Sequence, residues 1–124
     1  MMFNAYYAEI ITVIQCILSI QMHSTEEVGE LVAMYAQAAR NALEAGFDGV
    51  ELHCANGYLV NQLISEHSNT RDDQYGGSMT NRLRFLKEVV AAVSEVVGAD
   101  RLDVRFVPLF ASTDNTRVYL GMVE

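Results

Sequence analysis

The sequence predicts an α/β fold in which helices cover a parallel sheet. Helical and strand-like patterns alternate along the chain in the order helix, strand, loop with a short helix, helix, strand, and strands separated by helices are typical of parallel sheets. Two recognisable strands are few, because a parallel sheet buries both of its faces. We therefore expect the 124 residues to form part of a larger fold.

The first helix is predicted to begin near Thr25. Ser24 and Glu27 have the spacing of a capping box, in which each side chain accepts a hydrogen bond from the other residue's backbone amide. Gly46 is suited to the position just after a helix. Between these signals, apolar residues recur at three and four positions, as on the buried face of a helix: Val28, Leu31, Val32, Tyr35, Ala39, Ala42 and Leu43.

Two strands and a second long helix are predicted after Gly46. The strands cover residues 47–53 and 102–107, and Pro108 closes the second one. The polar residues 65–78 form a loop by their Asn, Asp and Gly content, and a helix follows from about Met79 to Val97, where Gly98 ends it. The apolar stripe of this helix contains Leu86, Val89, Val90, Val93, Val96 and Val97.

The composition limits the partners that the chain can bind. Its formal net charge is −8 and its only lysine is Lys87, whereas nucleic acids and anionic membranes are bound through basic patches. We expect neither as a partner. Cys16 and Cys54 lie far apart and in no metal-binding spacing, so we expect reduced thiols in a cytoplasmic protein.

The first 22 residues differ from the rest of the chain. They contain one charged residue, Glu9, and an apolar run from residue 10 to residue 20, which is too short for a membrane-spanning helix. No Lys or Arg precedes Arg40, although a secretory signal begins with a basic region. A buried helix, a buried strand or a segment foreign to the original fold is therefore favoured over a signal or an anchor.

Polar side chains stand where each predicted strand ends. His53 ends the first strand, Asn56 and Tyr58 lie in the turn after it, and Arg105 lies in the second strand. Ligands of parallel α/β folds bind at the carboxyl ends of the strands. His and Asn donors can stabilise a carbonyl oxygen that gains negative charge, Tyr can deliver a proton, and Arg can hold a negative charge.

Structural roles for the same residues remain open at this point. A single His at a strand end is usually an ordinary polar residue, Asn-Gly at 56–57 is a common turn dipeptide, and Tyr58 could belong to the core. A calcium loop is rejected, because counting from Asp72 or Asp73 places Leu83 or Arg84 where an EF-hand needs Glu. The two aspartates are expected to pair with Arg71, Arg82 or Arg84, or to face solvent.

One long segment resembles a known family. Residues 45–93 contain GFDGVELH, ANGYL and NTRDDQYGGS followed by NRLRF, and in this order these motifs closely resemble the Old Yellow Enzymes, which are flavin-dependent ene-reductases that include the 12-oxophytodienoate reductases. The resemblance extends from about Ser24 to Glu124. It implies a (β/α)₈ barrel, of which this chain would supply about strands four and five with their helices. It divides the chain into an unmatched apolar segment, residues 1–22, and a partial FMN-dependent oxidoreductase domain, residues 23–124.

The resemblance also implies a role for each candidate residue. His53 and Asn56 would bind the carbonyl oxygen of an α,β-unsaturated substrate, Tyr58 would protonate its α-carbon, and Arg105 would bind FMN near the pyrimidine edge of the ring. NAD(P)H would be the reductant. Val107 departs from the family pattern, which usually has Ser before the Pro, and Cys54 replaces a small residue.

The resemblance leaves three hypotheses for the isolated chain. The family's early strands, with other flavin contacts, and its late strands, with the FMN phosphate site, are not recognisable here. We therefore expect an ene-reductase fragment that is inactive alone. The alternatives are a truncated or mispredicted barrel fragment without flavin binding, and a small α/β binding module.

Overall fold

The computed structural model describes residues 7–10 and 24–106. Three parallel strands form one sheet in the order β1, β2, β3, where β1 is Tyr7–Ile10, β2 is Gly49–His53 and β3 is Leu102–Arg105. The central strand β2 pairs with both neighbours. The predicted parallel α/β class is therefore observed in the described part of the chain.

Helix α1, Thr25–Glu44, begins where the capping box predicts. The Ser24 hydroxyl accepts a hydrogen bond from the Glu27 amide, and the Glu27 carboxylate accepts one from the Ser24 amide. After the helix, Gly46 adopts a positive φ of 93°, which glycine reaches without steric cost. The sequence therefore determines both ends of α1 locally.

Three further helices connect β2 to β3. They are α2, Leu59–Ile64, α3, Met79–Arg82, and α4, Arg84–Val97. The single helix predicted from Met79 to Val97 is wrong in one respect, because Leu83 separates α3 from α4. Leu83 has ψ of −11°, which departs from the regular helical value of about −42°. A short 3₁₀ turn, Ala99–Arg101, leads into β3.

The core lies between one face of the sheet and the two long helices. Helices α1 and α4 pack against each other, and the rings of Tyr35 and Phe85 meet edge to face with centroids 6.0 Å apart. Val50 and Leu52 of β2 are fully buried in this core. Leu102 and Val104 of β3 pack against it from the edge of the sheet. The predicted apolar faces of both helices therefore point at the sheet.

The loop between α2 and α3 is fixed by polar side chains. The buried Asn69 amide donates to the carbonyl oxygens of Leu63 at 2.6 Å and Tyr75 at 2.7 Å. Asp73 pairs with Arg71 and accepts a hydrogen bond from the Thr25 hydroxyl at 2.9 Å. The predicted pairing of Asp73 is therefore observed with Arg71. These bonds connect the loop to the first turn of α1.

The N-terminal segment contributes a strand to the same sheet. Residues 7–10 pair in parallel with residues 49–52, so four residues of this segment form a strand, which was one of the structures considered for it. The second predicted strand is too long at its end, because β3 ends at Arg105 and Phe106 is not part of it. The remainder of residues 1–22, Val107, and the tail from residue 111, for which the sequence predicts a loop, lie outside the described residues.

Candidate functional site

The candidate site lies at the carboxyl end of β2 and β3. Val50 and Leu52 point into the core, so Glu51 and His53 occupy the opposite face of the strand, because successive side chains alternate. In β3, Leu102 and Val104 contact the core, which places Asp103 and Arg105 on that same opposite face. We call this second face of the sheet, with Glu51, His53, Asp103 and Arg105, the polar face. It ends at the strand edge where ligands of parallel α/β folds bind.

His53, Asn56 and Tyr58 come together at this edge. The Asn56 Nδ2 atom lies 3.4 Å from His53 Nε2. The Tyr58 ring contacts the His53 ring edge to face, with centroids 4.7 Å apart and planes at 88°. His53 is 6 % exposed, whereas Asn56 is exposed. The three residues predicted from the sequence therefore form one cluster that opens to solvent on the Asn56 side.

An unusual backbone turn positions Asn56. Asn56 has φ of 56° and Gly57 has φ of 78°, so both adopt the left-handed region, which Asn tolerates better than most residues and Gly enters freely. A non-glycine residue held in this conformation costs about 1–3 kcal/mol and requires support from its surroundings. The dipeptide Asn-Gly is therefore needed here for its conformation as well as for the Asn56 amide.

Helix α2 supplies that support. The Gly57 amide donates to Asn61 Oδ1 at 2.9 Å, and the Gln62 side-chain amide donates to the Gly57 carbonyl oxygen at 2.7 Å. Gly57 is thus held by side chains at both its nitrogen and its oxygen. Tyr58 follows as the N-cap residue of α2, so the same short helix also places the Tyr58 ring.

Arg105 lies beside His53 across the parallel ladder. Their Cα atoms are partners in the register of β2 and β3, and the Cys54 amide donates to the Arg105 carbonyl oxygen at 3.0 Å. The Arg105 side chain is 48 % exposed, and its Nη2 atom lies 2.6 Å from Glu51 Oε1. A guanidinium has five N–H donors, so the ion pair is compatible with a further acceptor.

The arrangement is suited to binding a single carbonyl oxygen. An N–H···O hydrogen bond has a heavy-atom distance of about 2.9 Å, so one oxygen can approach both His53 Nε2 and Asn56 Nδ2, which lie 3.4 Å apart. For both groups to donate, His53 must carry its proton on Nε2. Binding would then replace the Asn56–His53 contact by two bonds to the ligand.

Cys54 is an inert neighbour of this cluster. Its thiol is free and buried, and burial raises its pKa to about 12. A thiolate is the reactive form of cysteine, so Cys54 is a packing residue at neutral pH. Cys16 lies outside the described residues, and the predicted cytoplasmic location stays a prediction.

Residues 7–10 and 24–106 contain no cluster of three or more His, Cys, Asp and Glu side chains arranged to bind a metal ion. Among these same residues, no helix has the length and apolar character to span a bilayer.

Two features of the site were missed from the sequence. Asn61 and Gln62 stabilise the turn, and Glu51 pairs with Arg105. The alternation along β2 could have placed Glu51 on the same face as His53. Pairing it with Arg105 requires the register between strands that lie fifty residues apart, which no local pattern shows.

Comparisons with known proteins agree on one family. A sequence profile described as the NADH:flavin oxidoreductase / NADH oxidase family matches residues 3–119. The match begins within the apolar segment of residues 1–22, although the sequence predicts a division between this segment and the oxidoreductase domain of residues 23–124.

Similar curated proteins carry flavin-related or reductase names. A probable flavin mononucleotide-dependent alkene reductase of Leishmania infantum is 50% identical over 93 residues, which are 75% of this chain and 26% of that protein. 12-oxophytodienoate reductase 7 of Oryza sativa subsp. japonica is 47% identical over 102 residues, which are 80% of this chain and 26% of that protein.

Solved structures show the same relationship. Morphinone reductase in complex with tetrahydroNAD matches with a TM-score of 0.68 and 50% identity, over 69% of this chain and 24% of that one. The Old Yellow Enzyme homologue from Zymomonas mobilis matches with a TM-score of 0.74 and 38% identity, over 80% of this chain and 29% of that one. The chain spans about a quarter of the length of these relatives.

Proposed function

The chain belongs to the NADH:flavin oxidoreductase / NADH oxidase family, and we propose on that basis that it carries the carbonyl-binding and proton-donating part of an ene-reductase. The proposed reaction is FMN-dependent, NAD(P)H-driven reduction of the C=C bond in an α,β-unsaturated carbonyl compound. The observation that carries this proposal is the cluster of His53, Asn56 and Tyr58 beside Arg105. The names of the alkene reductase and 12-oxophytodienoate reductase relatives support it.

The fold and the family resemblance are confirmed. The matched enzymes are (β/α)₈ barrels, and the three parallel strands with their helices form part of such a barrel. The motifs of residues 45–93 therefore identify the Old Yellow Enzyme family correctly. A barrel active site lies at the carboxyl ends of the strands, which is where His53 and Arg105 stand.

In the proposed site, His53 and Asn56 hold the substrate carbonyl oxygen. Addition of hydride to the β-carbon moves negative charge onto this oxygen. With the His53 proton on Nε2, two neighbouring N–H donors stabilise that charge, and removing one such donor typically costs about 10²–10³ in kcat. The support of Gly57 by Asn61 and Gln62 keeps the Asn56 amide at this position.

Tyr58 is the proposed proton donor. Its ring packs edge to face against the His53 ring, which places Tyr58 beside the proposed carbonyl-binding groups. A tyrosine hydroxyl carries a proton that it can donate. It can therefore deliver a proton to the α-carbon as the charge returns from the oxygen.

The residues at this edge fit the ring of FMN. A fixed cation and neutral N–H donors recognise an electron-rich ring edge, and the half-exposed Arg105 guanidinium supplies the cation on the polar face. Bound FMN would supply the hydride that it receives from NAD(P)H. Arg105 would hold negative charge on the ring, with Glu51 orienting the guanidinium.

We further propose that the 124 residues are inactive alone. The described residues contain three strands, whereas a closed (β/α)₈ barrel has eight. The test is to mix the purified chain with FMN, remove free flavin by desalting, and assay NADPH-dependent reduction of cyclohexenone. Stoichiometric FMN together with turnover would contradict this part of the proposal and would assign the activity to the chain itself.

The roles of the site residues can be tested in a hybrid enzyme. In this hybrid, residues 24–106 replace the matching segment of morphinone reductase, which is 50% identical over the matched region. Tyr58→Phe should lower the rate of enone reduction by about 10²-fold or more and leave reduction of the flavin by NADH unchanged. Tyr75→Phe is the matched control, because the Tyr75 hydroxyl bonds Glu88 and lies outside the cluster. Equal rates of enone reduction in the two variants would remove Tyr58 from its proposed role.

A non-enzymatic role remains the second candidate. The chain would then be a barrel fragment without flavin binding, which the three strands of the described residues favour over a closed barrel of eight. A hybrid enzyme that folds but does not bind FMN would support this candidate over the first.

A further inference from the structure

We propose that Asn56 is a site of spontaneous deamidation and that Asn61 and Gln62 suppress this reaction in the folded chain. The chain contains seven asparagines, and only Asn56 is followed by glycine. Glycine has no side chain to obstruct attack by its own nitrogen on the preceding Asn side chain. Asn56 and Gly57 are also exposed, so water and hydroxide reach both groups.

The reaction takes place within the Asn56–Gly57 unit. The Gly57 nitrogen attacks Asn56 Cγ, a new N–Cγ bond forms, and the Cγ–Nδ2 bond breaks. The proton lost from the Gly57 nitrogen is replaced on the leaving group through solvent, and Nδ2 departs as ammonia. Water then opens the cyclic imide and leaves aspartate or isoaspartate at position 56. Overall, one water is consumed and one ammonia is released, and no oxidant or reductant is needed.

Two hydrogen bonds at Gly57 should slow this attack. The Gly57 N–H donates to Asn61 Oδ1 at 2.9 Å, so its proton is engaged and less available to base. The Gly57 carbonyl oxygen accepts from the Gln62 side chain at 2.7 Å. Gly57 is thus held at its nitrogen and at its oxygen, and a rotation of the Asn56–Gly57 peptide that carries the Gly57 nitrogen toward Cγ would disrupt these bonds.

The modification would change the chemistry of the cluster. Asn56 presents an amide donor 3.4 Å from His53 Nε2. Aspartate at this position is an acceptor when ionised, and isoaspartate lengthens the backbone by one carbon. Either product removes the N–H donor from beside His53. This consequence for carbonyl binding rests on the proposed function, whereas the deamidation itself depends only on the local structure.

The test follows the mass of the Asn56-containing peptide during incubation of the full chain at mildly alkaline pH. Deamidation replaces NH₂ by OH, and fragment ions assign the mass change to one asparagine. The first comparison is the wild-type chain in buffer and in concentrated urea. We expect at least fivefold slower deamidation of Asn56 in buffer, and equal rates in the two solvents would overturn the proposal.

Substitutions at Asn61 then distinguish the effect of the Gly57–Asn61 hydrogen bond on the deamidation rate from the effect of folding in general. Asn61→Leu removes the acceptor for the Gly57 N–H and should speed deamidation in buffer roughly fivefold, which corresponds to the net free energy of one hydrogen bond. Asn61→Asp keeps an acceptor oxygen and adds a negative charge that disfavours ionisation of the Gly57 nitrogen, so its rate should stay near that of wild type. A folded Asn61→Leu chain with the wild-type rate would contradict the proposed suppression.

If Asn61→Leu does not fold, Gln62→Glu provides a second variant in which a bond to Gly57 is removed. This change replaces the donor to the Gly57 carbonyl oxygen by an acceptor and should also speed deamidation in buffer. Far-UV circular dichroism identifies which variants are folded, and urea should bring all of them to one common rate. Because no step uses flavin, failure of this proposal is distinguishable from failure of the proposed enzymatic function.

Discussion

Arg105 carries a positive charge at the candidate site, and the Glu51 carboxylate partly neutralises that charge. The two side chains meet at 2.6 Å, with Glu51 19% and Arg105 48% exposed. An exposed ion pair contributes little to stability, about 1 kcal/mol at most. The importance of Glu51 is therefore expected in the electrostatics of the bound ring and less in the free energy of unfolding.

Substitutions of Arg105 and Glu51 should shift the midpoint potential of bound FMN in opposite directions. In the hybrid enzyme, Arg105→Gln should lower the midpoint potential of bound FMN, because the reduced ring loses a cation. Glu51→Gln should raise it, because the remaining cation is no longer neutralised. The expected size is about 30 mV in each direction, which is equivalent to about 1.4 kcal/mol for a two-electron couple. Shifts of the same sign in a spectroscopic redox titration would contradict the assignment.

Asp73 is a second charged residue with a measurable effect. Its bonds to Arg71, to the Tyr75 amide and to the Thr25 hydroxyl outweigh desolvation and lower its pKa to about 2. A depressed pKa stabilises the folded chain above the unfolded value of about 3.9, and this stabilisation is lost as pH falls toward the folded value.

Asp73→Asn should therefore lower the free energy of unfolding by about 1–2 kcal/mol at neutral pH. The difference from wild type should shrink as the pH falls from about 4 to about 2. Urea unfolding across this range measures the difference. Asp72→Asn is the control, because Asp72 is exposed and surface substitutions usually stay within about 0.5 kcal/mol. A difference for Asp73→Asn that is independent of pH would contradict the role of its charge.

Much of the cluster could be predicted at the residue scale. His53, Asn56 and Tyr58 lie within six residues of one another, so a strand end and a turn suffice to bring them together. Arg105 was predicted because parallel strands present their carboxyl ends at one edge. The bonds from Asn61 and Gln62 to Gly57 could not be predicted, because they depend on the exact orientation of α2 relative to the turn.

At the scale of elements, two glycines give contrasting predictions. A Cβ on Gly76 would overlap the backbone carbonyl group of Arg71, whereas a Cβ on Gly29 in α1 would meet nothing within 4 Å. Gly76→Ala should therefore destabilise the fold by about 1–3 kcal/mol. Gly29→Ala should stabilise it by about 0.5–1 kcal/mol, because Gly is unfavourable in a helix. Urea unfolding measures both changes, and a neutral Gly76→Ala would show that the loop before α3 is not closely packed.

Local signals decide which elements the sequence predicts well. The capping box and the apolar periodicity locate α1, and Gly98 marks the end of α4. The first predicted strand is too long by two residues at its start, because Phe47 and Asp48 precede β2. Strand β1 could not be assigned, because its four residues lie almost entirely before the apolar run and are too few to show a strand pattern of their own. Its partner β2 lies about forty residues away in the sequence.

At the scale of the whole molecule, the sheet has two different faces. One face is covered by α1 and α4, and the other is the polar face with Glu51, His53, Asp103 and Arg105. In a (β/α)₈ barrel, helices surround the strands and the second face points inward. The polar face therefore corresponds to the barrel interior, and its carboxyl end carries the candidate site.

His53 and Asn56 are proposed to bind one carbonyl oxygen together. The most direct test is a double-mutant cycle in the hybrid enzyme with His53→Ala, Asn56→Ala and both changes. We expect each single change to lower kcat/KM for the enone by about 10²-fold or more, with flavin reduction by NADH unaffected. The double variant should lose much less than the product of the two single losses, because groups that act on one oxygen couple strongly. Fully additive losses, or single variants with the wild-type kcat/KM, would contradict the claim.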